Sequence, residues 1–250
     1  CFFYPEWSAR KNQYLKNYCR IFENPLALTF KMSETYCEAL IKNKAQISYW
    51  RSRIQNLVNE PLWMRRLKEG DEVDLDQVVA DFASLRSHKN VDHRWYSQKQ
   101  KHHRQIGVHI LFDQSMSSDS WVKGVRVLDV ILDAITTAGL VFEGSLDDVG
   151  VSGTWSSTRH NCFFQEYKKK QETRESLYIR IDYVESRGYT RLGPAIRHAH
   201  CKLAEHGAQK KILILITDGK PTDLDGYEGV HGVQDVKKAC LEGEAQGITT

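Results

Sequence analysis

The sequence predicts an α/β domain built on a mostly parallel sheet, preceded by a smaller, mainly α-helical region. From about Asp113 onward strand-like and helix-like patterns alternate, which is the signature of βα units. Two apolar runs, Val108-His109-Ile110-Leu111-Phe112 and Ile212-Leu213-Ile214-Leu215-Ile216, each lead straight into a turn that carries a carboxylate, Asp113 in one and Asp218 in the other. Upstream, Tyr36, Leu40, Ile47, Trp50, Ile54 and Leu57 recur three or four residues apart, the period of a helix face. The expected division is a mainly helical region over 1–90, a basic connector over 91–104 and the α/β domain over 105–250.

Within the α/β part the first strand runs from near Gly107 to Asp113. A helix is expected from about Trp121 to Gly139, with Val122, Val125, Leu128, Ile131, Leu132 and Ile135 on one face and Ser118 or Asp119 as its cap. Val149 to Trp155 and Cys162 to Tyr167 read as strands joined by the polar turn from Ser156 to Asn161. The first of these is rich in glycine, so its neighbours should approach closely. The polar stretch from Lys168 to Arg187 should hold a short helix. Another helix runs from about Pro194 to Glu205, with proline in its first turn, where a missing N–H costs nothing. Lys211 to Thr217 is the fourth strand, and a helix from about Val233 to Ala245 follows a loop rich in Gly, Asp and Pro. In the N-terminal part a long helix is expected from Ser33 to Asn59 and another from Leu75 to Leu85, the latter opened by Asp71, Glu72, Asp74 and Asp76, whose charges suit a helix N-terminus.

Composition narrows the function. A net charge of +3 over 250 residues gives no general case for nucleic-acid binding. Six cysteines without a Cys-x-x-Cys pair or zinc-finger histidine spacing indicate neither a structural zinc site nor a disulfide framework, and read as reduced thiols of a cytoplasmic protein. No apolar run reaches the roughly 18 residues of a membrane helix. The chain opens on Cys1-Phe2-Phe3-Tyr4-Pro5-Glu6-Trp7 without Met and closes on Gly247-Ile248-Thr249-Thr250, which resembles the start of a strand, so it reads as a segment of a longer protein.

The chemistry lies in two short runs. Asp113-Gln114-Ser115-Met116-Ser117 puts a carboxylate and two hydroxyls at alternate positions of a turn, and Ile216-Thr217-Asp218-Gly219 adds a second carboxylate, with Thr190 between them in sequence. All are hard oxygen donors at the edge of a parallel sheet where ligands bind, and they suit a divalent cation. Taken singly, Ser115 and Ser117 also suit helix capping and Asp218 a turn.

Asp-x-Ser-x-Ser after a buried strand, a later Thr and an Asp in a Thr-Asp-Gly turn resemble the metal-ion-dependent adhesion site of von Willebrand factor A domains. The resemblance implies a Rossmann-like, doubly wound sheet, cut off here before its last strands. It also implies a Mg²⁺ ion, or another divalent cation such as Mn²⁺ or Ca²⁺. Ser115, Ser117 and Thr190 would supply hydroxyl oxygens directly, Asp113 and Asp218 would act largely through water, and one position would remain for a partner's acidic side chain. Ser118, Tyr189, Arg191 and Lys220 stand beside these positions as candidate partner contacts. Tyr4-Pro5-Glu6-Trp7, the acidic stretch Leu67 to Asp76, Gly188-Tyr189-Thr190-Arg191-Leu192-Gly193-Pro194 and Thr217-Asp218-Gly219-Lys220-Pro221-Thr222-Asp223 resemble the A-domain proteins paired with MoxR-type AAA+ ATPases, above all the NorD branch that activates nitric oxide reductase. The resemblance implies a non-enzymatic adaptor between a ring ATPase and a client metalloenzyme. A sister branch serves Rubisco.

Other motifs fail on spacing. Gly219-Lys220 is followed by Pro221 and lacks the earlier glycine of a phosphate-binding loop. Gly150-Val151-Ser152-Gly153-Thr154 lacks the second glycine of a hydrolase elbow. Asp223-Leu224-Asp225-Gly226 is no calcium loop, because Pro221 and Gly232 stand at ligand positions, and it reads as a mobile polar loop. His198 and His200 lie two apart on a helix and do not face one another, and His102 and His103 read as exposed connector residues.

Overall fold

The computed structural model describes residues 1–25, 34–58, 61–86, 93–101, 105–142, 146, 148–170, 172–173, 175–205 and 207–250. The chain divides into two compact units, one of Cys1–Ser52 with Gln105–Thr250 and one of Arg53–Arg104.

The first unit opens with strands, not helix. β1 (Phe2–Ser8) pairs antiparallel with β2 (Gln13–Pro25), and inward Tyr4, Glu6 and Ser8 alternate with more exposed neighbours. The two polar residues among those three hide the period of two that the sequence carries. Pro5 has no N–H for a ladder and is tolerated because β1 is an edge strand, and the pairing is irregular between Tyr4 and Glu6. Opposite that irregularity Asn17 takes a left-handed conformation, at φ 50°. The expected helix over 33–59 is divided at Asn43 into α1 (Glu34–Lys42) and α2 (Lys44–Val58). The Asn43 amide donates to Asp133 at 3.0 Å and to Thr137 at 2.9 Å.

The second unit holds β3 (Pro61–Leu67), β4 (Glu72–Val73), α3 (Leu75–Arg86) and β5 (Tyr96–Lys101). Its antiparallel sheet has the order β3-β5-β4, so part of the expected connector is a central strand. Trp95, read as a linker residue, donates its indole N–H to buried Asp81 of α3 at 2.7 Å. His102 and His103 lie outside the described residues.

The remainder completes the first unit: β6 (Ile106–Asp113), β7 (Trp121–Val122), β8 (Val125–Arg126), α4 (Val127–Phe142), β9 (Asp148–Thr158), β10 (Asn161–Lys168), α5 (Glu175–Arg180), α6 (Leu192–Ala204), β11 (Lys210–Ile216), α7 (Gly229–Ala245) and β12 (Ile248–Thr249). The main sheet runs β1-β2-β10-β9-β6-β11-β12. It is parallel at every junction except β1–β2 and β10–β9. The N-terminal hairpin is therefore continuous with the sheet that the sequence confined to 105–250. β6 is buried on both faces, as an interior parallel strand should be. α6 and α7 pack with Tyr4, Ile21, Leu111, Phe164 and Leu213 in one apolar core.

Two local expectations are corrected. The helix after β6 begins at Val127, not near Trp121. Lys123 and Gly124 both have positive φ, 51° and 80°, and close a two-residue turn between β7 and β8, leaving Val122 and Val125 exposed. Asp119 caps nothing and instead pairs with Arg126 at 2.5 Å. The glycines of β9 do mark close approach, since a Cβ on Gly150 would lie 2.5 Å from His109 Nδ1.

Candidate metal centre

β6 and β11 are neighbours in register, with Ile216 opposite Phe112, so Asp113 and Thr217-Asp218 leave the sheet at the same edge. Asp113 is only 1% exposed. Its Oδ1 accepts the Ser115 N–H at 2.8 Å, and its Oδ2 accepts the hydroxyls of Thr190 at 3.0 Å and Thr217 at 3.3 Å. Ser115 and Ser117 share a hydroxyl hydrogen bond of 2.7 Å across the 3-10 turn Met116–Asp119. Asp218 is exposed, and its Oδ1 accepts the Lys220 N–H at 3.4 Å.

The Thr190 loop is held from three sides. Position 188 requires glycine, both for its left-handed φ of 59° and because a Cβ there would collide with the Ser156 carbonyl. Tyr189 and Ser156 exchange backbone hydrogen bonds of 2.7 and 2.8 Å, and Thr190 and Thr222 exchange a second pair at 2.8 and 2.9 Å. The Met116 N–H donates to the Gly188 carbonyl at 3.0 Å, which ties the serine turn to the same loop.

Burial pushes the Asp113 carboxyl above the usual range, hydrogen bonds from Ser115 and Thr190 oppose that shift, and the charge of Asp218 adds to it. That last influence places the two carboxylates within each other's field. Neither forms an ion pair with a Lys, Arg or His among the described residues. A buried carboxylate without a counter-charge is costly, and a divalent cation is one compensation. The donors are hydroxyl and carboxylate oxygens, and among the described residues no group of three or more His, Cys, Asp or Glu is arranged to hold a metal ion. The set fits a hard cation such as Mg²⁺.

The four expected partner contacts separate. Tyr189 is 40% exposed and Lys220 is exposed. Ser118 is buried and donates its hydroxyl to the Ser115 carbonyl at 2.7 Å, which braces the turn. Arg191 is also buried, with Glu6, Asp223 and Asp225 around its guanidinium. The loop read as mobile is pinned by the same arginine. Thr217 was missed as a donor to Asp113, although it stands inside the Thr-Asp-Gly run that drew attention to Asp218.

A parallel sheet with oxygen donors gathered at one strand edge defines the class. Residues 108–250 match the sequence profile of the von Willebrand factor type A domain, and the chain belongs to that family. More narrowly, it is similar to Protein NorD of Brucella melitensis, 32% identical over 98% of this chain and 38% of that protein. Protein NorD of Stutzerimonas stutzeri is 33% identical over 79% of this chain and 33% of that protein. The chain thus spans 38% of the length of the first of these relatives. Among solved structures, a PilB minor pilin from Streptococcus sanguinis covers 58% of this chain and 48% of its own at 15% identity, with a TM-score of 0.43. No helix among the described residues is long and apolar enough to cross a membrane.

Proposed function

We propose that the protein is a non-enzymatic, cytoplasmic adaptor of the NorD type, which grips an acidic side chain of a client metalloenzyme through a Mg²⁺-dependent adhesion site and couples that client to a MoxR-type AAA+ ATPase. The observation that carries this reading is the pair Asp113 and Asp218, set beside the hydroxyls of Ser115, Ser117, Thr190 and Thr217 at one sheet edge, with no ion-paired cationic side chain among the described residues. Ser115, Ser117 and Thr190 would hold the ion directly, and Asp113 and Asp218 would orient water and balance charge. With two carboxylates beside a doubly charged ion, the site would leave a Lewis-acidic position that a partner carboxylate could complete. The similarity to NorD proteins favours nitric oxide reductase as the client. Rubisco, or an interaction role without an ATPase, remains the alternative.

Exposed apolar side chains border the serine turn. Met116 is 65% and Trp121 69% exposed, and together with Tyr189 they offer contact area around a metal-held carboxylate. The protein should recover both client and AAA+ ring from extract in Mg²⁺ and lose the client in EDTA. Ser115→Ala should lower client capture at least about tenfold while the fold persists. Undiminished capture by Ser115→Ala, or in EDTA, would refute metal-mediated binding, and absence of the ATPase under all conditions would favour the interaction-only alternative.

A further inference from the structure

Arg191 directly follows Thr190 and joins segments far apart in the chain. Its Nε donates to Asp223 Oδ2 at 3.0 Å, Nη1 donates to Glu6 of β1 and Nη2 to Asp225. The Tyr227 ring centre lies 4.4 Å from the guanidinium carbon. Glu6 is held in turn by Cys19 Sγ at 3.0 Å and by His231 Nε2 at 3.0 Å. The loop between Asp218 and α7 is thereby fixed to Thr190 twice, through the Thr190–Thr222 backbone pair and through this side chain.

We propose that Arg191 is a positioning residue for the metal centre. By clamping Asp223 and Asp225 against the residue next to Thr190, it sets the separation between the Thr190 hydroxyl and the Asp218 carboxylate. Through Glu6, the first strand becomes part of that support. The inference rests on the reading of Asp113, Ser115, Ser117, Thr190 and Asp218 as a cation site. The planar fork suits the task because it meets three carboxylates from different directions, which a lysine ammonium on a flexible stem cannot reproduce.

Arg197 supplies a matched control. It lies on α6, the helix that Arg191 precedes, is also buried, and pairs with Asp235 at 2.9 Å and Glu242 at 2.8 Å, tying α6 to α7 without touching either metal loop. If Arg191 served packing alone, losing either arginine would affect the metal equally.

The test is a Mn²⁺ titration followed by electron paramagnetic resonance on the intact protein, with melting temperatures recorded in parallel. Arg191→Lys should weaken Mn²⁺ binding by about tenfold or more, the usual scale for groups that orient metal ligands, whereas Arg197→Met should change it less than about twofold despite a lowered melting temperature. Asp225→Asn, at a residue whose side chain is 19% exposed, should remain folded and weaken binding by about threefold, because Arg191 then keeps only two charged partners. Wild-type affinity in both Arg191→Lys and Asp225→Asn would overturn the proposal, as would an equal loss in Arg197→Met. Failure of the wild-type protein to bind Mn²⁺ would instead remove the metal reading on which it rests.

Discussion

Two groups of carboxylates lie close together in the fold and are treated in opposite ways. Glu6, Asp223 and Asp225 surround Arg191, and Asp235 and Glu242 surround Arg197, so each of these anions has a cation and hydrogen bonds. Asp113 and Asp218 have hydroxyl and backbone donors but no ion pair among the described residues. Paired charges of the first kind specify how strands and helices fit. Charges of the second kind, at a sheet edge, are the ones the proposed metal ion would balance.

The largest expected contrast comes from removing one carboxylate of each kind. Asp235, itself fully buried, accepts from Arg197, from the Trp7 N–H at 2.8 Å and from the Tyr227 hydroxyl at 2.8 Å. Asp235→Ala strands these donors and should cost about 3–5 kcal/mol in denaturant unfolding. Asp113→Asn removes a charge that no ion pair among the described residues balances, so stability in EDTA should stay within about 1 kcal/mol of the wild type. Saturating Mg²⁺, about 100 times its Kd, should stabilise the wild type by about 2.7 kcal/mol and the Asp113→Asn protein hardly at all. Equal losses from the two variants in EDTA would erase the distinction.

A smaller effect separates the two regions by pH. His198 and His200 lie inside the packed helix α6, and burial lowers both to about 4 from an ordinary 6.5. His198 is bonded to Tyr4 at 2.8 Å and Glu23 at 3.0 Å, and His200 to Thr250 at 2.9 Å. Because the folded values are depressed, the unfolded chain takes up protons first. The histidines leave stability unaffected above about pH 7 and reduce it as pH falls from 6.5 toward 4, by up to about 2 kcal/mol each near pH 4.5. His198→Gln should flatten that slope in melting curves taken between pH 7 and 4.5. An unchanged slope would mean that other groups carry the acid sensitivity.

The same contrast explains what the sequence disclosed. Asp113, Ser115 and Ser117 fall within one five-residue run at the end of a strand buried on both faces, so local pattern and fold agree, and Thr190 and Asp218 sit in short runs of recognisable shape. The ionic hub has no local signature: Glu6 and Arg191 are 185 residues apart, and only the pairing of β1 with the sheet unites them. The hairpin itself was hidden because Glu6 and Ser8 occupy inward positions that an alternating pattern would reserve for apolar side chains. At Lys123 a non-glycine residue adopts positive φ, so the β7–β8 turn carried only half of its usual sequence mark.

The smallest stability effect belongs to the rim, where the sequence placed Ser118, Tyr189, Arg191 and Lys220 in one class and the structure divides them. Ser118→Ala removes the brace on the Ser115 carbonyl and should cost about 1 kcal/mol with a modest loss of Mg²⁺ affinity. Tyr189→Ala and Lys220→Ala alter solvent-facing side chains and should change unfolding free energy by less than about 0.5 kcal/mol. Their Mg²⁺ affinity, measured calorimetrically, should also stay at the wild-type value, since neither side chain donates to the ligand set. Any defect should then appear only when the client is present, as faster dissociation from an otherwise intact metal centre. A loss of Mg²⁺ affinity in Tyr189→Ala would show that the exposed face of the loop helps hold Thr190, and would move Tyr189 from the rim into the support formed by Gly188, Ser156 and Arg191.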